Sequence, residues 1–341
     1  MGERSHIEWT DATWNPITGC TVVSPGCTNC YAMKLAGTRL QHHPSRAGLT
    51  KASKAGPVWT GEVRFNEQWL TQPLKWKRPR MIFVCAHGDL FHESVPDEWI
   101  DRVFAVMALA PQHTFQVLTK RSKRMQEYLS STGLMMRVTH AGARMMDDGD
   151  GAYSQLANTD WPLPNVLLGV SVEDQKRADE RIPDLLATPA AVRWISAEPL
   201  LGPVDLSAYA EMAGCDTMMG ISNPGLDWVI VGGESGHGAR PMHPDWARSL
   251  RDQCAADGVA FYFKQWGHFQ EHYDRDRDDP DWRRCGHVKR CDPNGQWLNL
   301  AGGQGFHGAR VIRISPVGKK AAGRLLDDVE HNGFPVIGGD A

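Results

Sequence analysis

Residues 166–172, Val-Leu-Leu-Gly-Val-Ser-Val, lead through residues 174–186 to Val192-Arg193-Trp194-Ile195-Ser196, and this passage decides the fold. The two flanking runs are short, almost continuously apolar and rich in Val and Ile. That composition suits strands covered on both faces. The segment between them carries a helical apolar period. A strand, a helix and a second buried strand make the parallel βαβ unit.

The same unit recurs outward from this passage. Buried strands are predicted at 81–85, 114–118, 228–231 and 259–263, and a shorter one at 13–18 leads into a cysteine-rich loop. Helices are predicted at 96–109 and at 244–257, the latter stopped by Gly258, and another at 31–40. Each strand finishes in polar or glycine residues: His87-Gly88-Asp89, Thr119-Lys120-Arg121, Ser171 with Glu173, Ser196 with Glu198, Gly232-Gly233-Glu234-Ser235, and Lys264-Gln265. In a β/α barrel the C-terminal strand ends meet at one mouth, whereas a doubly wound sheet gathers its site at a switch point. Successive polar ends favour an α/β fold of the first kind, a partial or complete parallel (β/α) barrel over residues 1–267. Residues 268–341 read as a C-terminal extension packed on it. Residues 42–61 read as a loop, and 135–165 as an insertion or mobile lid.

The composition bounds the function. The chain has 341 residues, 41% hydrophobic and 23% charged, with a net charge of -3. That balance describes a globular protein with no global drive toward nucleic acid or anionic lipid. No apolar run is long enough for a bilayer, and no secretory leader is evident, so the expected compartment is the cytoplasm, with no membrane partner. Eight cysteines in such a chain imply reduced thiols. Cys85 and Cys254 lie in apolar stretches and read as core residues.

Cys20, Cys27 and Cys30 are different. They share one loop, Cys20-Thr21-Val22-Val23-Ser24-Pro25-Gly26-Cys27-Thr28-Asn29-Cys30, in which Pro25 and Gly26 supply turns. Thiolates select zinc, copper or iron–sulfur centres. Two readings stand at this level. Zinc would need a fourth ligand, from His42, His43, or the distant Cys285, His287 and Cys291, and would make the chain a nucleic-acid or protein-interaction module. A 4Fe–4S cluster held by three cysteines would keep one iron open for chemistry.

A wider set of stretches carries a resemblance. They are Ile7–Pro16 ahead of Cys20, Gly88-Asp89-Leu90-Phe91-His92, Leu118-Thr119-Lys120-Arg121, Gly169-Val170-Ser171-Val172-Glu173, Glu198-Pro199-Leu200-Leu201-Gly202-Pro203, Val231-Gly232-Gly233-Glu234-Ser235-Gly236 and Phe263-Lys264-Gln265-Trp266-Gly267. With the cysteine triplet they resemble the radical S-adenosylmethionine enzymes, and within them an uncharacterised phage-associated branch. The six residues between Cys20 and Cys27 exceed the superfamily's common spacing, and Asn29 stands where an aromatic residue is usual.

The resemblance implies an enzyme with a 4Fe–4S cluster on Cys20, Cys27 and Cys30 and S-adenosylmethionine on the open iron. It implies cofactor contacts from Gly88, Asp89, Ser171, Glu173, Gly232 and Gly233. Lys120, Glu198, Glu234 and Lys264 become the expected catalytic residues, because charges at buried strand ends are paired or used. The structural alternative pairs Lys120 with Glu198 and Glu234 with Lys264. The expected partners are an electron donor of flavodoxin or ferredoxin type and a nucleotide or DNA substrate.

Overall fold

The computed structural model describes residues 5, 7–209, 225–274, 294–305 and 307–337. The strands are β1 (Ala12–Trp14), β2 (Ile17–Thr18), β3 (Thr50–Ser53), β4 (Gly56–Trp59), β5 (Arg64–Phe65), β6 (Met81–Val84), β7 (Thr114–Thr119), β8 (Val166–Ser171), β9 (Val192–Ala197), β10 (Trp228–Gly232), β11 (Ala260–Gln265), β12 (Phe269–Asp274), β13 (Gln296–Leu298) and β14 (Ile312–Pro316). Seven of them form one sheet in the order β1-β6-β7-β8-β9-β10-β11. The pairs β1/β6, β6/β7, β7/β8 and β10/β11 are parallel.

This order settles a question the strand ends left open. A doubly wound sheet reverses direction at its switch point. Here each new strand joins beyond the last, as in an α/β barrel laid down strand by strand. The fold is mixed α/β and agrees with a partial barrel. The six strands expected at 81–85, 114–118, 166–172, 192–196, 228–231 and 259–263 all form, with ends shifted by one or two residues.

By compactness the chain falls into two units, Met1–Ser171 with Arg181–Trp194 and Val336–Ala341, and Val172–Glu180 with Ile195–Pro335. In the first unit every residue of β8 is buried, as the apolar run requires. Trp9 packs edge-on against Phe83 and Trp194, with ring centroids 4.9 and 5.5 Å apart. Gln116 is buried in β7 and donates to the Trp9 carbonyl at 3.1 Å, which offsets part of its desolvation. Gly169 lies directly beneath Trp194. A Cβ at that position would come within 2.4 Å of the indole, so the indole fills the space a side chain would need.

The helix Asp97–Leu109 shows why these segments are helical. Asp97 and Glu98 sit in its first turn, where carboxylates favour the helix dipole. Ile100, Val103, Phe104 and Met107 recur at helical spacing and are all buried. In the second unit the helix Pro244–Asp257 begins with proline at its first position. His243 caps it by accepting from the Asp245 N–H, and Gly258 ends it at a φ of 69°.

Segments beyond residue 267 build the antiparallel sheet β12-β14-β13. The chain then returns to β10 and β11. His331 accepts from the Phe263 N–H at 3.0 Å, and the Gly333 carbonyl accepts from the Trp228 indole at 2.8 Å.

One expectation needs correction. Residues 42–61 are not plain loop, because β3 and β4 pair there as a hairpin. Residues 135–165, expected as an insertion or mobile lid, hold the helices Leu134–Met145 and Gly149–Ala157. Dense Met, Gly and Asp hid the apolar face of the first, which buries Leu134, Val138, Thr139 and Gly142. Asp148 caps the second by accepting from the Gly151 N–H at 2.9 Å.

Gly169→Ala should displace the Trp194 indole and overpack the core, lowering unfolding stability by about 1–3 kcal/mol. Chemical denaturation read by tryptophan fluorescence measures this loss.

Candidate functional site

The cysteine loop is positioned by backbone contacts that only glycine permits. Gly19 has a φ of 98°, and a Cβ there would lie 2.1 Å from the Glu62 carbonyl oxygen. Its N–H donates to the His87 carbonyl at 3.1 Å, and Gly19 bridges Gly88 in parallel fashion. Gly88 is close-packed as well: a Cβ would lie 3.0 Å from the Ile17 carbonyl oxygen. The end of β6 and the entry to the loop are thus locked together. Ser24 then starts a 3-10 turn over Pro25–Cys27, and Cys30 precedes the helix Tyr31–Ala36. That helix ends sooner than expected, at Gly37 in place of Leu40. Cys27 is buried, and Cys20 and Cys30 are partly buried against Ala32, Met33, Ala36, Leu49 and Trp59.

The neighbours of the loop come from β6 and β7. Asp89 is buried and saturated. It accepts from the Thr119 hydroxyl at 2.7 Å, the Phe91 N–H at 3.0 Å, the Lys120 N–H at 3.2 Å and the Arg121 guanidinium at 3.1 Å. Arg121 in turn donates to Cys20 Sγ at 3.3 Å and to Glu93 at 3.2 Å. Its remaining nitrogen donates to the Thr21 hydroxyl. His92 Nε2 lies 3.2 Å from the same hydroxyl, and the Tyr31 hydroxyl donates to the Ala86 carbonyl at 2.6 Å.

The thiols share one electrostatic environment. Burial pushes Cys20 up to about 12; the Asp89 charge adds to the rise and Arg121 opposes it. Burial also raises Cys30, with Lys120 acting the other way. A Cys27 thiolate would raise both neighbours. Burial would lower Arg121, but Asp89, Cys20 and Glu93 hold its charge and the net direction is upward. Cys20 and Cys30 are therefore neutral near pH 7 unless a cation stabilises their thiolates.

The donors fit a thiophilic metal in kind: three soft sulfurs on one loop, mutually coupled, with an N–H donor on one of them. Among the described residues no three His, Cys, Asp or Glu side chains are already drawn together as a ligand set. Cys285, His287 and Cys291 lie outside the described residues. Cys85 and Cys254 are free and buried, as core thiols should be.

The second unit gathers another charged group. Lys264 Nζ donates to both oxygens of Glu198, at 2.8 and 2.9 Å, and Gln265 approaches Glu198 at 3.4 Å. Gly232 faces this carboxylate, since a Cβ there would come within 3.2 Å of it. Glu234 is buried and held by Arg240, which donates from its backbone N–H, Nε and Nη2 at 2.8, 2.9 and 2.6 Å. The expected pairing of Lys120 with Glu198 and of Glu234 with Lys264 is therefore corrected. Glu198 takes Lys264, the lysine at the end of a strand in its own unit, and Glu234 takes an arginine close in sequence. Gly233 admits the Trp266 carbonyl, which would lie 2.0 Å from a Cβ. Ser171 and Glu173 are both buried. The Ser171 carbonyl accepts from Arg181 at 2.7 Å, and that of Glu173 accepts from the Leu201 N–H at 2.7 Å.

Arg121 and Arg240 were not among the expected site residues. Arg121 stands in the polar end of β7 beside Lys120, so the strand-end pattern contains it, but only the fold brings it to a cysteine 101 positions away.

The fold and loop together define an α/β protein with a sulfur-rich site at the end of its first sheet strands. The chain belongs to the family described as Protein of unknown function (DUF5131), whose profile matches residues 4–335. No curated protein and no solved structure matches it significantly.

Asp89→Asn should leave the Arg121 charge poorly compensated in a buried setting and cost about 3 kcal/mol of stability. Pairing it with Arg121→Met should cost less than the two single changes summed, a test for urea unfolding in a double-mutant cycle.

Proposed function

We propose that the chain is a radical S-adenosylmethionine enzyme whose cluster would be held by Cys20, Cys27 and Cys30. The supporting observation is the neighbourhood of Cys20: a soft donor on a three-cysteine loop, with a buried, carboxylate-anchored guanidinium hydrogen-bonded to its sulfur. When bound, a 4Fe–4S cluster supplies the electron that cleaves S-adenosylmethionine and starts radical chemistry on substrate. The chain's own residues supply order. Asp89 keeps Arg121 aimed at Cys20, and hydrogen bonds to ligand sulfur raise the reduction potential of such centres. Lys120 places positive charge near Cys30. Cys27 is buried and Cys20 and Cys30 are partly buried, which limits water around the sulfurs although Val22 and Val23 of the loop are exposed.

In this reading the catalytic role of Lys120, Glu198, Glu234 and Lys264 and the cofactor contacts of Gly88, Asp89, Ser171, Glu173, Gly232 and Gly233 are those that the resemblance implies. The phage-associated resemblance supports a nucleotide or nucleic-acid base as substrate class, and reduction calls for a flavodoxin or ferredoxin. No helix among the described residues is long and apolar enough to cross a membrane.

Anaerobic reconstitution with iron, sulfide, dithionite and S-adenosylmethionine tests the reading. About four irons per chain and release of 5′-deoxyadenosine are expected, both lost on replacing the three cysteines by alanine. One tight zinc with no cluster would establish the interaction-module reading instead.

A further inference from the structure

Arg46 is a buried cation that nothing in the preceding account uses. It is 4% exposed and forms no ion pair among the described residues. One terminal nitrogen donates to Ser45, to its carbonyl at 3.4 Å and to its hydroxyl. Its Nε is buried without an acceptor. The ionisable groups acting on it are the Cys85 thiol, Arg64 and the Tyr31 phenol; no carboxylate is among them. Burial brings Arg46 down to about 10, so it remains charged at neutral pH. A buried guanidinium without a counter-charge costs several kcal/mol, and chains that keep one ordinarily pair it.

A second unpartnered polar atom lies in the same neighbourhood. His87 Nδ1 is also buried without a partner. Ser45, beside Arg46, and His87 are tied to consecutive positions of the chain. Thr18 donates its hydroxyl to the Ser45 carbonyl at 2.7 Å, and Gly19 donates its N–H to the His87 carbonyl at 3.1 Å. Asn66 reinforces the link, donating to the Asn15 carbonyl at 3.1 Å and reaching the Thr18 hydroxyl at 3.3 Å. The Asn15 side chain accepts from the His87 N–H at 2.9 Å. The Tyr31 ring stands edge-on to the imidazole at 6.0 Å. The Arg46 charge reaches His87, reinforcing the effect of burial, which takes that imidazole down to about 4. A guanidinium donor with a fixed positive charge and an unpartnered imidazole nitrogen, a donor in one of its two neutral tautomers, thus sit in a rigid frame with no carboxylate acting on either.

We propose that Arg46 and His87 form an oxyanion site that takes a carboxylate or phosphate group of a small-molecule ligand beside the entry to the cysteine loop. Guanidinium binds either group by charge-assisted hydrogen bonds, and the imidazole N–H adds direction. The frame is held by backbone and amide contacts and needs no metal on the cysteines, so the site stands apart from the cluster reading.

Thermal unfolding of the full chain tests this, with potassium phosphate and sodium acetate each compared with sodium chloride at equal ionic strength. In the wild type, phosphate, acetate or both should raise Tm saturably above the chloride value, by about 2 °C near ten times Kd. A rise with phosphate alone identifies a phosphate-bearing ligand, and with acetate alone a carboxylate. Arg46→Met and His87→Gln should each abolish the rise, and either one suffices if the other does not fold. No rise in the wild type, or a wild-type rise retained in any folded variant, overturns the proposal.

Discussion

A carboxylate with four donors around it organises the candidate site. Asp89 leaves β6, is almost wholly buried, and takes hydrogen bonds from its own turn, from Thr119 and Lys120 of the neighbouring strand end, and from Arg121. Burying a carboxylate is tolerable only under such saturation. The arrangement ties the ends of two adjacent parallel strands to each other and turns a guanidinium toward Cys20. The glycine contact between residues 19 and 88 performs the matching task on the backbone. Neither feature works without the other. The ion pair aims at a sulfur whose position depends on the glycines, and the glycines bring together segments whose polar ends Asp89 satisfies.

The architecture was largely legible in the residues. Runs such as 166–172 and 192–196 are apolar because both faces of those strands are covered, and a fully buried strand cannot disguise that. Polar strand ends likewise marked where buried charged groups such as Asp89, Arg121 and Glu234 gather. Signals failed where local pattern and tertiary partner diverged. The hairpin pairs Thr50-Lys51-Ala52-Ser53 with Gly56-Pro57-Val58-Trp59; β3 is largely exposed and β4 mostly half-buried, so no apolar alternation marked it. The helix Leu134–Met145 contains Gly142, whose lack of a side chain makes room for Leu156. Such a glycine reads as a breaker until its neighbour is known.

Site residues divide in the same way. The cysteines were identifiable because their side chains are chemically rare and closely spaced. Arg121 and His87 fell within the polar strand ends but were not singled out there, and Arg46 carried no signal, since nothing local distinguishes a charged or polar residue that folding will bury from one it will leave in water. Ion-pair partners were the least legible of all: Glu198 and Glu234 both meet cations, but each takes a different one from that suggested by strand-end position. Choosing among nearby lysines and arginines depends on side-chain reach in three dimensions, which one-dimensional spacing does not encode.

The strand order carries a consequence for biosynthesis. Because spatial neighbours in the sheet follow one another along the chain, a nascent polypeptide leaving the ribosome can add each strand to an edge already made. The cysteine loop emerges before the arginine that touches Cys20, which follows 101 residues later. The three thiols are therefore made well before the guanidinium that will contact one of them, and the finished environment of the loop exists only after β7 has joined the sheet.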